Sequence, residues 1–254
     1  MPIHFTTGYP APVNPPDEPL SLIVVTERGV QRAWPGRAAA ARHSLDALNV
    51  RAIDFHYSNR SICYVHHNLS RSALVCARAD DLTARVTLPS PTLFPNLDAV
   101  SHLRIDWVGN NWYFVDEQRG ALYVCAAALD SCRLLLDAGL AKLHGLALDP
   151  ARGRMYWCVW GSSEPAVETA RMWGGARAAL VRHKLVYPGA LALDAAARRL
   201  HWADAYLDTL EDARADPALP ADRADPADRA DRADAADPAA LARRTRARGL
   251  QLQI

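Results

Sequence analysis

Four times the chain repeats one phrase: an apolar strand ending in Asp, a short turn, then a second strand rich in aromatics. The copies span Arg51–His66, Leu103–Asp116, Leu146–Val159 and Leu191–Asp204. Their strand-ending acids are read as Asp54, Asp106, Asp149 and Asp194, separated by 52, 43 and 45 residues. A strand-turn-strand unit cannot bury its apolar face alone, so copies at this period must stack on one another. The period and the strand signals point to propeller blades, each a small antiparallel sheet.

The second repeat shows the blade plan. Leu103–Val108 is a strand, Gly109–Asn111 a hairpin turn whose residues accept φ > 0, and Trp112–Asp116 the next strand. A turn at Gln118–Gly120 leads to a third strand, Ala121–Ala126, and a turn near Leu129–Asp130 to a fourth, Cys132–Leu136. Ahead of the repeats, Leu20–Thr26 and Val30–Trp34 also read as strands. The third repeat carries an insertion, Gly161–Thr169, and Pro89, Pro91 and Pro95 mark an extra loop before the second. The expected division is an irregular, proline-rich leader over 1–19, a partial propeller over 20–211, and a tail over 212–254. The tail is built largely from Ala, Asp, Arg and Pro, has no apolar stripe, and is expected to be disordered.

The second strands carry four tetrapeptides: Cys63-Tyr-Val-His66, Tyr113-Phe-Val-Asp116, Tyr156-Trp-Cys-Val159 and His201-Trp-Ala-Asp204. They resemble the YWTD repeat of the low-density lipoprotein receptor family. The runs Ile105–Asp116 and Tyr187–Asp194, with the strands that follow them, look like the first propeller of the receptor-related branch. The resemblance implies an all-β fold: an incomplete YWTD β-propeller, about four blades of the family's six, with a disordered C-terminal tail. It implies a protein-binding part of an endocytic receptor, displayed outside the cell and in endosomes, that helps to release ligand in acid. Its partners would be protein ligands or neighbouring receptor modules. Because two blades, the other receptor modules and a signal peptide are not in the pattern, the alternative expectation is a truncated orphan fragment without activity of its own.

Within the repeat, the second-position aromatics Tyr64, Phe114, Trp157 and Trp202 are suited to filling the gap between stacked blades. Asp116 and Asp204 at the fourth position can accept backbone N–H bonds, which His66 and Val159 in the other copies alter or remove. Cys125 and Cys132 flank a hairpin turn and match cysteines of the family pattern, so a disulfide is expected, with two buried thiols as the alternative. Cys63 and Cys76 lie on neighbouring strands and could also bridge, but a one-residue register slip would put them on opposite faces. Cys158 is left as a core thiol. Asn59 and Asn68 open Asn-x-Ser sequons in turns, candidate glycosylation sites in an oxidising, extracellular setting. Among the histidines, the adjacent pair His66 and His67 are the candidate pH sensors.

The exclusions are as informative. A net charge of +1 gives no reason to expect nucleic acid. No run is apolar enough for direct membrane insertion by this chain. No CxxC pair, GxSxG, HExxH or phosphate-cradling loop is present, so no metal, no cofactor and no catalytic residue is assigned. An acid recurring once per repeat is a structural pattern, because catalysis needs unlike residues converging on one point.

Overall fold

A computed structural model describes the backbone of residues 22–26, 29–33 and 43–45, and residues 50–215 apart from 68–71, 80, 82–83, 89–95, 138–141 and 162–163. The leader, Asn68, the loop prolines and the tail beyond 215 lie outside the described residues. Among the described residues, apart from short 3₁₀ turns at Leu97–Ala99 and Pro150–Arg152, the regular structure is all strand.

Each repeat is an antiparallel sheet with its strands in sequence order. The first blade is β4 (Val50–His56), β5 (Ser61–His67), β6 (Ser72–Arg78) and β7 (Arg85–Leu88). The second is β8 (Val100–Asp106), β9 (Asn111–Asp116), β10 (Ala121–Ala126) and β11 (Cys132–Leu136). The third is β12 (Lys142–Asp149), β13 (Arg154–Trp160), β14 (Ala166–Arg171) and β15 (Ala178–Val181). The fourth has three strands, β16 (Pro188–Asp194), β17 (Arg199–Asp204) and β18 (Thr209–Arg214). A separate three-stranded sheet, β1 (Leu22–Thr26), β2 (Gly29–Ala33) and β3 (His43–Leu45), precedes them. The first strands of consecutive blades, β4, β8, β12 and β16, lie side by side, as the innermost strands of a propeller do. Two expected limits shift: β18 carries the sheet to Arg214, past 211, and the insertion of the third blade ends before Ala166.

The register corrects one assignment. The second-blade pair is Asp106↔Asn111, the third Asp149↔Arg154, the fourth Asp194↔Arg199, and the first His56↔Ser61. His56, not Asp54, is therefore the strand-ending residue of the first blade. The turn that follows each such residue closes through a left-handed residue at the same place: Arg60, Asn110, Gly153 and Arg198, with φ of 53°, 56°, 62° and 55°. The strand-ending acids serve these turns. Asp106 accepts from the N–H groups of Val108 (3.1 Å) and Gly109 (2.9 Å), and Asp194 from that of Ala197 (2.8 Å). Asp149 instead pairs with Arg152 at 3.0 Å.

The core consists of the seams between blades. Phe114 packs with Cys63, Val65 and Leu74 of the blade before it. Trp157 packs with Tyr113, Val115 and Leu122, and Trp202 with Tyr156, Cys158 and Val167. The second tetrapeptide position thus faces backward along the chain, and the first position faces forward. Tyr113 also donates its hydroxyl to the Met172 carbonyl at 3.1 Å, tying the second blade to the third. Tyr64 is buried on the outer face of the first blade with Ile62 and Val75. The inner strands carry a bulge near their start in every blade, and the third uses Gly145 at φ 51°. A Cβ there would collide with the Gly189 carbonyl of the next inner strand, so the glycine sets how closely the two can approach.

Both candidate cysteine pairs are disulfides. Cys63 stands opposite Cys76 and Cys125 opposite Cys132, with Cα separations of 4.1 and 4.0 Å. The Cys63–Cys76 register is the one that brings the thiols to one face. Cys158 is free and buried, and burial pushes its thiol up to about 12. Trp157→Ala is expected to cost about 3–5 kcal/mol in urea denaturation, since Trp157 has no exposed surface and its cavity opens a seam. Replacing Cys63 and Cys76 together by Ala is expected to cost about 2–3 kcal/mol, the chain-entropy value for so short a loop, read from the same denaturation midpoint.

Candidate functional site

Strand polarity divides the propeller into two faces. On one, first strands turn into second strands. On the other, linkers enter the first strands and second strands turn into third. The starts of β12 and β16 and the ends of β13 and β17 all meet on this second face. There the indole of Trp160, the last residue of β13, packs against the ring of Tyr187, with centroids 3.8 Å apart and ring planes tilted by 39°. Lys142, opposite Trp160 in the β12–β13 register, places its ammonium 5.6 Å from the indole centroid. Val186, Tyr187, Tyr206 and Leu207 are all exposed, Tyr206 at 74%. Exposed apolar residues gathered in one place are candidates for an interaction surface.

One carboxylate assembles this face. Asp204 Oδ2 accepts the N–H groups of Val186 (2.8 Å) and Tyr187 (3.0 Å) from the incoming linker. Its Oδ1 accepts those of Tyr206 and Leu207, both at 3.1 Å, from the turn that follows β17. Burial acts to raise the Asp204 carboxyl, but the four N–H bonds together hold it below its ordinary value. Asp204 is the fourth tetrapeptide position, and the other blades vary the theme. Asp116 is buried and accepts from the Arg119 N–H at 3.0 Å. Val159 is buried with no polar contact to offer, and His66 is half-buried.

The remaining candidates are dispersed. Asp54 lines a central cavity of about 440 Å³ between the inner strands, with Arg104, Tyr57, Trp107 and Leu193. It accepts the Ile105 N–H of the next blade at 2.7 Å, and burial raises its carboxyl above the ordinary value. Its role is to join inner strands rather than to end one. His56 Nε2 lies 2.9 Å from Asn110 Oδ1, linking the turns of the first two blades. Asn59 is exposed in its turn, where its Oδ1 accepts the Ser61 N–H at 3.2 Å. His67 Nδ1 is 2.6 Å from Ser72 Oγ and 3.5 Å from Asp98. Among the described residues no group of three or more His, Cys, Asp or Glu is placed to hold a metal ion.

Sequence reasoning missed a different pair. His102 and His144, on adjacent inner strands, place their rings edge to face at 4.6 Å. Burial first, then the proximity of His144 and Arg104, lowers the His102 imidazole from 6.5 to about 3. The signal lay in the inner-strand register: each histidine stands beside the bulge of its own strand.

No family model matches the chain. It is 28% identical over 166 residues to the vitellogenin receptor Yl of Drosophila melanogaster, covering 65% of this chain and 8% of that receptor. It is 33% identical over 120 residues to the vitellogenin receptor of Solenopsis invicta, covering 47% and 7%. The human low-density lipoprotein receptor-related protein 5-like protein is 27% identical over 114 residues, 45% of each chain. The chain is similar to receptors of the low-density lipoprotein receptor family. It spans less than half the length of each of these relatives. Among solved structures, the crystal structure of a nidogen/laminin complex superposes with a TM-score of 0.66 at 23% identity, covering 79% of this chain and 75% of that one. That likeness establishes the propeller fold.

Asp204→Ala is expected to cost at least about 2 kcal/mol in denaturation, because four N–H groups lose one charged acceptor. Near-ultraviolet circular dichroism should also lose the Trp160–Tyr187 signal in this variant.

Proposed function

We propose that the chain is an extracellular, non-enzymatic protein-binding segment of an endocytic receptor of the low-density lipoprotein receptor-related type. In the finer reading its nearest counterpart is the first propeller of low-density lipoprotein receptor-related protein 1. It docks protein ligands or neighbouring receptor modules on the Trp160–Tyr187 face and contributes to their release in acid. The observation that carries this reading is the aromatic face, with Tyr187 exposed beside a half-buried Trp160, built on a repeated frame in a chain whose relatives are receptors. The two disulfides support an oxidising compartment, and the sequons at Asn59 and Asn68 are proposed glycosylation sites there. Among the described residues no helix is long and apolar enough to cross a membrane.

His102, on an inner strand, supplies a physical route to acid sensitivity. His102 has a folded pKa of about 3 against 6.5, so the unfolded chain takes up its proton first. The stability contributed by the neutral ring is complete above pH 6.5 and is lost progressively as pH falls toward 3. His144 and Arg104 oppose a charge there, and Ser101 Oγ, 3.1 Å from Nδ1, offers the imidazole one polar contact. Endosomal acidity lies within that window.

Two measurements test the reading. Immobilised chain should retain a defined set of proteins from extracellular fluid at neutral pH and shed them on acidification. Trp160→Ala with Tyr187→Ala should abolish that retention while far-ultraviolet circular dichroism reports an unaltered strand content. Retention by the double variant equal to that of the parent would sink the assignment of this face. Urea midpoints should also fall as the medium is acidified below pH 6.5, and His102→Phe should flatten that fall.

A further inference from the structure

The central cavity has a wall of unusual charge. Tyr57 and Trp107 line it and follow directly on the strand-ending residues His56 and Asp106, so it reaches the face opposite to Trp160–Tyr187. Their rings meet edge to face at 6.2 Å, and Phe55 meets Tyr57 in the same way at 5.1 Å. Among the described residues the wall carries two charges, Asp54 and Arg104, and is otherwise apolar or aromatic. No ion pair joins the two. Asp54 accepts the Ile105 N–H through Oδ2, and Arg104 gives one N–H to the Leu103 carbonyl at 2.8 Å. Most of the guanidinium's five donors therefore remain to be used. The groups feel one another: burial raises the Asp54 carboxyl and Arg104 opposes that rise, while burial and then the Asp54 charge raise the Tyr57 phenol. Other ionisable groups at this end of the strands do not line the cavity. Asp106 and Asp194 accept from their own turns, Asp149 pairs with Arg152, Arg199 with Asp212, and His56 bonds to Asn110. Arg60, Arg154 and Arg198 also lie outside the wall, so the surrounding charge is of both signs.

We propose that this cavity binds a small zwitterion with an apolar body, of the class of the apolar α-amino acids, with its ammonium on Asp54, its carboxylate on Arg104 and its side chain among Phe55, Tyr57, Trp107 and Leu193. A wall with one charge of each sign selects against a ligand that carries only one. A plain cation would leave Arg104 unpaired, and a plain anion would leave Asp54 so. A zwitterion satisfies both, and each contact is a charge-assisted hydrogen bond. Its net charge of zero makes it indifferent to the mixed field around the mouth. A neutral polyol would bury hydroxyls against the apolar part of the wall without partners. The volume of about 440 Å³ falls within the range of small-molecule sites, about 300–1,000 Å³, where an apolar wall with few polar groups fixes the ligand's orientation.

The test titrates the full chain, by calorimetry at neutral pH, with L-phenylalanine, phenethylamine (the ammonium alone), 3-phenylpropionate (the carboxylate alone) and glycine (no apolar body). Phenylalanine is expected to bind tightest, with each of the others weaker by about tenfold or more. Asp54→Asn keeps an acceptor for the Ile105 N–H and should bring 3-phenylpropionate level with phenylalanine. Arg104→Gln should do the same for phenethylamine. Circular dichroism checks that both variants keep their strands, and the ranking by the unsubstituted chain decides the matter even where a variant fails to fold. Equal binding of the three aromatic probes would reduce the cavity to an apolar hole and overturn the proposal. Phenethylamine or 3-phenylpropionate binding most tightly would reject the zwitterion. The absence of binding by all four, or a preference that survives both substitutions in folded protein, would overturn the site itself.

Discussion

Everything in this molecule rests on the exchange of side chains across the seams between blades. Each second strand sends one large residue backward and its neighbour forward, because successive residues of a strand point to opposite faces. Phe114, Trp157 and Trp202 reach the preceding blade, while Cys63, Tyr113 and Tyr156 reach the following one. A sheet of three or four short strands has too little apolar surface to stand alone. Sharing two adjacent residues between two seams solves that problem with a four-residue motif. The rest of the architecture, including the alignment of β4, β8, β12 and β16, follows from keeping those residues in register.

Most of the frame was legible in the sequence because it is periodic. Alternation gave the strands, and the tetrapeptides aligned the blades even where His66 and Val159 depart from the pattern. The third and fourth strands of the second blade, Ala121–Ala126 and Cys132–Leu136, fall where turn residues and alternation place them. The first repeat misled because an acid was sought at the strand end. Asp54 stands two residues early, while His56 occupies the position. The better guide is the left-handed turn residue at Arg60, Asn110, Gly153 and Arg198, but three of these four are not glycine, so residue type hid them.

The candidate face was less legible for a different reason. Trp160 and Tyr187 belong to different blades and to positions outside the tetrapeptide, so their contact depends on how one strand end meets the next linker. Asp204 reads from the sequence as an acceptor of backbone N–H bonds, yet not as the hub of two separate segments. The inner-strand register sets His102 and His144 each beside a bulge, but only the side-by-side packing of those strands brings the two rings together. Single-sequence reasoning recovers what repeats, and loses what arises once.

The seams also have a consequence for how the protein fails. Among the described residues, the substantial sheet-to-sheet contacts join blades that follow one another in sequence. Stability is then close to a sum of nearest-neighbour terms along a line rather than a property of one shared core. Damage at the Trp202 seam need not weaken the disulfide-bearing seam around Phe114. Such a chain can come apart in steps, blade by blade, and its sequence can drift at one seam while the others hold the fold. The aromatic face sits beside a single seam, between the third and fourth blades, so its integrity is hostage to that one joint.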